Sequence, residues 1–153
     1  MTDLDETDHR ILRELQRDAR QTHQQLSERI GLSPSPCARR IRKLEADGYI
    51  SGYSANINEH KMGYGFSVFV SVRLDKQIDD QLSAFEAEIA RCAEVVDCWL
   101  MTGSFDYLIR VAVRDLDDFE RFLTARLTKI AGVASIESSI PIRRVKYQPS
   151  RLW

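Results

Sequence analysis

Between Ser33 and Leu44 the chain carries four cations, Arg39, Arg40, Arg42 and Lys43, and no carboxylate. A guanidinium presents a planar fork of N–H donors that can pair bidentately with guanine, while an ammonium holds a phosphate as a point charge. Spacing decides whether such groups act together. At about 100° per residue on a helix, Cys37, Ile41 and Leu44 fall within one sector of ~60°, a stripe fit for burial. Ser35, Arg39, Arg42 and Lys43 then lie on the opposite side, with Pro36 and Arg40 at its edges. A face of that kind can grip a nucleic-acid backbone and read base edges. The competing description is an ordinary solvated helix face.

No catalytic constellation competes with it. His9, His23 and His60 have no metal-ligand spacing between them, and the three cysteines, Cys37, Cys92 and Cys98, form neither a zinc pattern nor a C-x-x-C pair. They are expected to be reduced, buried thiols. Gly63-Tyr64-Gly65 is too short for a nucleotide fingerprint and follows a polar stretch instead of a strand. Neither an enzyme nor a bound metal or cofactor is expected.

The elements that must position the basic helix are legible around it. A first helix starts near Asp5 and lines Ile11, Leu12 and Leu15 along one stripe. A second opens with the capping box Thr22-His-Gln-Gln25, buries Leu26 and Ile30, and stops at Gly31. Ser33 then supplies the N-cap and Pro34 the first position of the third helix, which runs to a stop at Gly48. Two helices joined by so short a turn must cross steeply, which is the helix-turn-helix arrangement with its later helix exposed to the major groove of double-stranded DNA. That context favours the DNA-reading face, with Ser33 among its donors, over the solvated one. After Gly48, Tyr-Ile-Ser-Gly-Tyr-Ser-Ala-Asn-Ile has the composition of a small β wing.

The second half changes period. Phe66, Val68, Val70, Val72 and Leu74 alternate as a strand, and Ile78, Leu82, Phe85 and Ile89 follow at helical spacing. Val95–Met101 and Tyr107–Val113 read as a hairpin around Thr102-Gly103-Ser104-Phe105, in which Asp106 is a turn-stabilising acceptor. A helix through Leu116, Phe119, Leu123, Leu127 and Ile130 and a strand over Val133–Ile140 complete the order βαββαβ. The fold class is therefore α+β: a winged helix-turn-helix over 1–56, a polar linker with two glycines over 57–65, and a ferredoxin-like domain over 66–153. Phe69, Leu108 and Ala112 fall on the sheet face that the helices leave open. Such an apolar face suggests a second copy about a two-fold axis, unless the tail or the wing covers it.

Bulk properties agree. The length of 153 residues accommodates two small domains, and a net charge of only −1 hides an acidic middle flanked by the basic helix and a tail with Arg143, Arg144, Lys146 and Arg151. No apolar run approaches the ~18 residues that span a bilayer, and the acidic start has neither region of a secretory signal. A cytoplasmic, nucleoid-associated protein is expected, with no membrane partner.

Three segments together resemble the Lrp/AsnC (leucine-responsive regulatory protein/asparagine regulator) family of bacterial and archaeal transcription regulators. They are Leu4-Asp5 with Asp8 and Ile11-Leu12; Gly31-Leu-Ser-Pro-Ser-Pro-Cys37 with Arg40-Ile-Arg-Lys-Leu-Glu45 and Gly48-Tyr-Ile; and Thr102-Gly-Ser-Phe-Asp-Tyr-Leu108. The resemblance implies homodimers through the C-terminal sheets, assembly of four dimers to an octamer, and an amino-acid effector bound where neighbouring dimers meet. It maps the effector site onto Thr102, Gly103, Asp106 and Tyr107 of the hairpin and onto Ser135, Ser138 and Ser139 after Gly132. Asp106 would hold the α-ammonium group, and backbone N–H groups at the glycine turn would hold the α-carboxylate. The acidic N-terminal arm offers nothing to a minor groove. A rival within the same fold is an architectural protein that wraps DNA and ignores small molecules.

Overall fold

The computed structural model describes residues 4–147 and Ser150, so Arg151 of the basic tail lies outside the described residues. The chain divides into two compact units, one of residues up to Asn56 joined by the described tail residues from Lys146, the other of Ile57–Val145. Residues 57–65 are thus not the free linker that their composition suggests. They belong to the second unit, because Glu59 is bonded to its sheet through Arg110.

In the first unit, α1 (Glu6–Arg17), α2 (His23–Ile30) and α3 (Pro34–Ala46) enclose a core of Ile11, Leu12, Leu26, Ile30, Cys37, Ile41 and Leu44. Both upstream N-termini close by reciprocal capping: Asp5 with Asp8, and Thr22 with Gln25. Gly31 ends α2 at φ 74°, a left-handed conformation open to glycine without a Cβ clash, and Leu32 N–H turns back to Ser27 O at 2.9 Å. Ser33 has N-cap backbone angles, but its hydroxyl makes no capping bond. The expected wing does not pair: among the described residues no strand forms between Gly48 and Phe66, a stretch interrupted by Gly52 at φ 154°.

The second unit follows βαββαβ: β1 (Phe66–Leu74), α4 (Asp79–Ile89), β2 (Val95–Leu100), β3 (Tyr107–Val113), α5 (Leu116–Ala125) and β4 (Val133–Ser139). The antiparallel sheet has the order β2-β3-β1-β4. Val68, Val70, Val72 and Leu74 of β1 and Tyr107, Ile109, Val111 and Val113 of β3 meet Phe85, Ile89, Phe119, Phe122 and Leu127 in one core, so both helices cover the same face. The last helix is shorter than its apolar spacing predicts. It gives way at Arg126 to a 3-10 turn over Leu127–Lys129, where Thr124 and Thr128 hydroxyls donate to carbonyls four residues back, a bond that bends helices. Cys37 and Cys92 are buried as expected, whereas Cys98, on edge strand β2, is exposed.

The open face is not the uninterrupted apolar surface expected of it. Opposite Phe69 stands Arg110, only 8% exposed. Its guanidinium meets both oxygens of Glu59 at 3.0 Å, and its Nε meets Asp97 at 3.0 Å. A cation can occupy that position because two carboxylates answer it. The Arg110 guanidinium holds the Glu59 carboxyl below its ordinary value of 4.5. A folded-state value below the unfolded one adds stability that is complete above the unfolded value and lost as pH falls through the folded one. Denaturant unfolding compared at about pH 7 and about pH 4 should therefore show a decline that Glu59→Gln makes shallower.

Candidate functional site

The third helix displays the basic face at its surface. Ser33, Ser35, Arg39, Arg42 and Lys43 are exposed and Pro36 is half-buried, while Cys37, Ile41 and Leu44 on the other side are at most 4% exposed. Among the described residues no ion pair engages Arg39, Arg42 or Lys43, so their charges are available to phosphates or base edges. Pro34 and Pro36 remove two N–H groups in the first turn, where such groups have no helical partner anyway.

Arg40 is not part of that group. Its Nη1 lies 2.7 Å from Asp5 Oδ2 and 2.8 Å from Asp8 Oδ1, at the start of α1. Two carboxylates so close outcompete solvent for the guanidinium, and they raise its already high pKa, Asp8 contributing most. The sequence hid this because Arg40 and its partners are more than thirty positions apart; only Asp5 and Asp8, one helical turn apart, hint at a two-pronged acceptor.

The hairpin residues also separate. Thr102 and Gly103 are exposed at the turn, with Gly103 at φ 118°, a conformation strained for any side chain. Asp106 was expected to offer its carboxylate to a ligand, yet it is 4% exposed. Its Oδ2 accepts from Leu74 N–H at 2.7 Å, and Oδ1 accepts a short bond from the Gln77 amide. That carboxylate ties the hairpin to the end of β1. Tyr107 is likewise withdrawn: at 1% exposure its ring packs on Phe85 with centroids 4.5 Å apart, and its hydroxyl donates to Glu86 at 2.8 Å. Burial pushes that hydroxyl's pKa up. Within the chain both are engaged internally, Asp106 on the end of β1 and Tyr107 on α4.

The three serines lie across the sheet from the hairpin. Ser135 stands opposite Arg73, level with the end of β1, whereas Ser138 and Ser139 stand further along, opposite Val70 and Phe69. Since β1 pairs with β3 on one side and β4 on the other, a whole strand separates the serines from the hairpin within one chain. Alternation puts Ser135 and Ser139 on the open face and Ser138 on the helix-covered one. Among the described residues no cluster of His, Cys, Asp or Glu could hold a metal ion, and no helix is long and apolar enough to cross a membrane.

Known proteins share this arrangement. Residues 4–51 match the winged helix-turn-helix DNA-binding model and residues 67–151 the Lrp/AsnC ligand binding domain. A Bkd operon transcriptional regulator from Pseudomonas aeruginosa is 44% identical over 145 residues, 95% of each chain. The leucine-responsive regulatory protein of Salmonella typhimurium is 38% identical over 98% of this chain and 91% of its own length. Among solved structures, a transcriptional regulator from Neisseria meningitidis in complex with L-Met superposes with a TM-score of 0.93 at 34% identity, covering 97% of this chain and 96% of that one. With identity of this order across both units, and the basic α3 displayed on the first, the chain belongs to the Lrp/AsnC family of DNA-binding transcription regulators.

Proposed function

We propose that this regulator reads operator DNA through Ser33, Ser35, Pro36, Arg39, Arg42 and Lys43, and that an amino acid bound between copies of the C-terminal unit modulates it. The observation that carries the first half is the unpaired basic face of α3 over a fully apolar underside. The match to a ligand-binding domain and the L-Met complex of the Neisseria regulator support the second. Homodimers form across the open sheet face, where Trp99, 44% exposed, joins Phe69 and Leu108 around the Arg110 cluster, and dimers assemble further to octamers. Pairing places two copies of α3 on half-sites about one DNA turn apart.

The strand between hairpin and serines supports an effector site completed by another copy. Thr102 and Gly103 come from one chain and Ser135 or Ser139 from the next, with Asp106 and Tyr107 bracing the hairpin. Work in the cytoplasm, on the nucleoid, follows from the DNA partner. A thermal-shift panel of the common amino acids tests the effector half. One or a few should stabilise the protein by about 2.7 kcal/mol at ~100 times their dissociation constant. A flat panel would remove the effector and favour a ligand-independent DNA binder.

A further inference from the structure

We infer that Arg40 is a positioning residue of the DNA-reading helix and not itself a DNA contact. The inference rests on α3 as the reading helix and concerns what fixes its orientation. Asp5 is the N-cap of α1: its Oδ1 accepts from Asp8 N–H at 2.8 Å, and Asp8 Oδ2 accepts from Asp5 N–H at 3.3 Å. The remaining oxygen of each carboxylate, Asp5 Oδ2 and Asp8 Oδ1, reaches the same Nη1 of Arg40. One set of four oxygens therefore closes the first turn of α1 and grips the middle of α3. The Asp8 side chain is only 16% exposed and that of Arg40 34%, so the Asp8–Arg40 bond is a partly buried, charge-assisted tie, to which the more exposed Asp5, at 51%, adds a second carboxylate.

The apolar contacts beneath α3 choose its buried face, and this tie adds a directional bond on its flank. Cys37, Ile41 and Leu44 share one core with Ile11 and Leu12 of α1 and Leu26 and Ile30 of α2, and such contact is non-directional, so it holds the stripe inward without fixing small rotations about the helix axis. A bond from the flank of α3 to a fixed point on α1 opposes that rotation. Arg39 precedes Arg40 directly, and Arg42 follows it by two positions, so any rotation swings both away from the base edges they address. For Arg40 to reach a phosphate it would have to abandon two charge-assisted bonds and leave a carboxylate pair unanswered at the rim of the basic face.

The two roles predict opposite behaviour when an aspartate is neutralised. A labelled duplex chosen from a random pool by the wild-type protein would be titrated, across a salt series, with Arg40→Gln, Arg40→Lys, Asp8→Asn and the Arg40→Gln/Asp8→Asn double variant, each checked for folding by circular dichroism. Arg40→Gln and Asp8→Asn should each weaken binding roughly three- to ten-fold, the size of a coupling within one side-chain network. The double variant should be no weaker than Arg40→Gln alone, Arg40→Lys should recover part of the loss, and the salt slope should stay at its wild-type value. The inference is overturned if Arg40→Gln lowers that slope by about 0.9, the signature of one lost phosphate contact, with Asp8→Asn binding more tightly. A folded Arg40→Gln that binds like wild type overturns it equally. Should the wild-type protein select no duplex, the DNA-reading assignment of α3 fails as well, a distinct result. If Arg40→Gln does not fold, Asp8→Asn and Arg40→Lys still decide the sign.

Discussion

Arg39→Ala is expected to weaken binding to a selected duplex by about 1–3 kcal/mol, the worth of one bidentate base contact. Arg39 is exposed, free of ion pairs among the described residues, and stands opposite a stripe that the core holds firmly, so no internal bond is lost with it. The loss should be concentrated on the selected sequence and nearly absent on unrelated duplexes if the guanidinium reads a base. An equal loss on every duplex, with a shallower salt dependence, would assign it to a phosphate instead. Competition binding with selected and scrambled duplexes separates the two, and no loss at all would mean that α3 is not the reading helix.

Asp106→Ala carries the other large effect, on the second unit. It strips the buried Leu74 N–H of its 2.7 Å acceptor, a cost of about 1–3 kcal/mol for an unsatisfied buried donor, and it also releases the amide of Gln77, an exposed residue that water can satisfy. Because the same carboxylate fixes the hairpin to the end of β1, amino-acid stabilisation should vanish along with it. Denaturant unfolding gives the first quantity and thermal shifts with a stabilising amino acid the second. An Asp106→Ala protein as stable as wild type would show that the tie contributes nothing. One that has lost stability yet still responds to the amino acid would separate the hairpin's bracing from effector binding.

Elements were legible wherever a period or a cap was local. Thr22 with Gln25, Gly31 before Ser33-Pro34, and the alternation from Phe66 to Leu74 each fix their element within a few residues. What stayed hidden was long-range pairing of charge. Arg40 looks like its neighbours Arg39 and Arg42 until folding brings Asp5 and Asp8 beside it. Arg110 reads as one polar residue in an apolar strand until Glu59 arrives from a stretch whose composition says linker. Asp106 and Tyr107 misled in the opposite direction. A motif says that a residue matters without saying whether it touches a ligand or braces what does, and burial decides for bracing in both cases. Residues 4–51 match a winged helix-turn-helix model, yet among the described residues the strand-like composition around Gly52 forms no paired strand.

The central claim, that an amino acid acting on the sheet-bearing unit alters how α3 engages DNA, meets its most direct test in footprinting of a selected duplex with and without each amino acid that stabilises the protein. Protection of half-sites in phase with the DNA turn, changing in extent or spacing when the amino acid is added, is the predicted result. A footprint that is unchanged at saturating amino acid, or one that covers DNA broadly and follows its flexibility instead of its sequence, would contradict it.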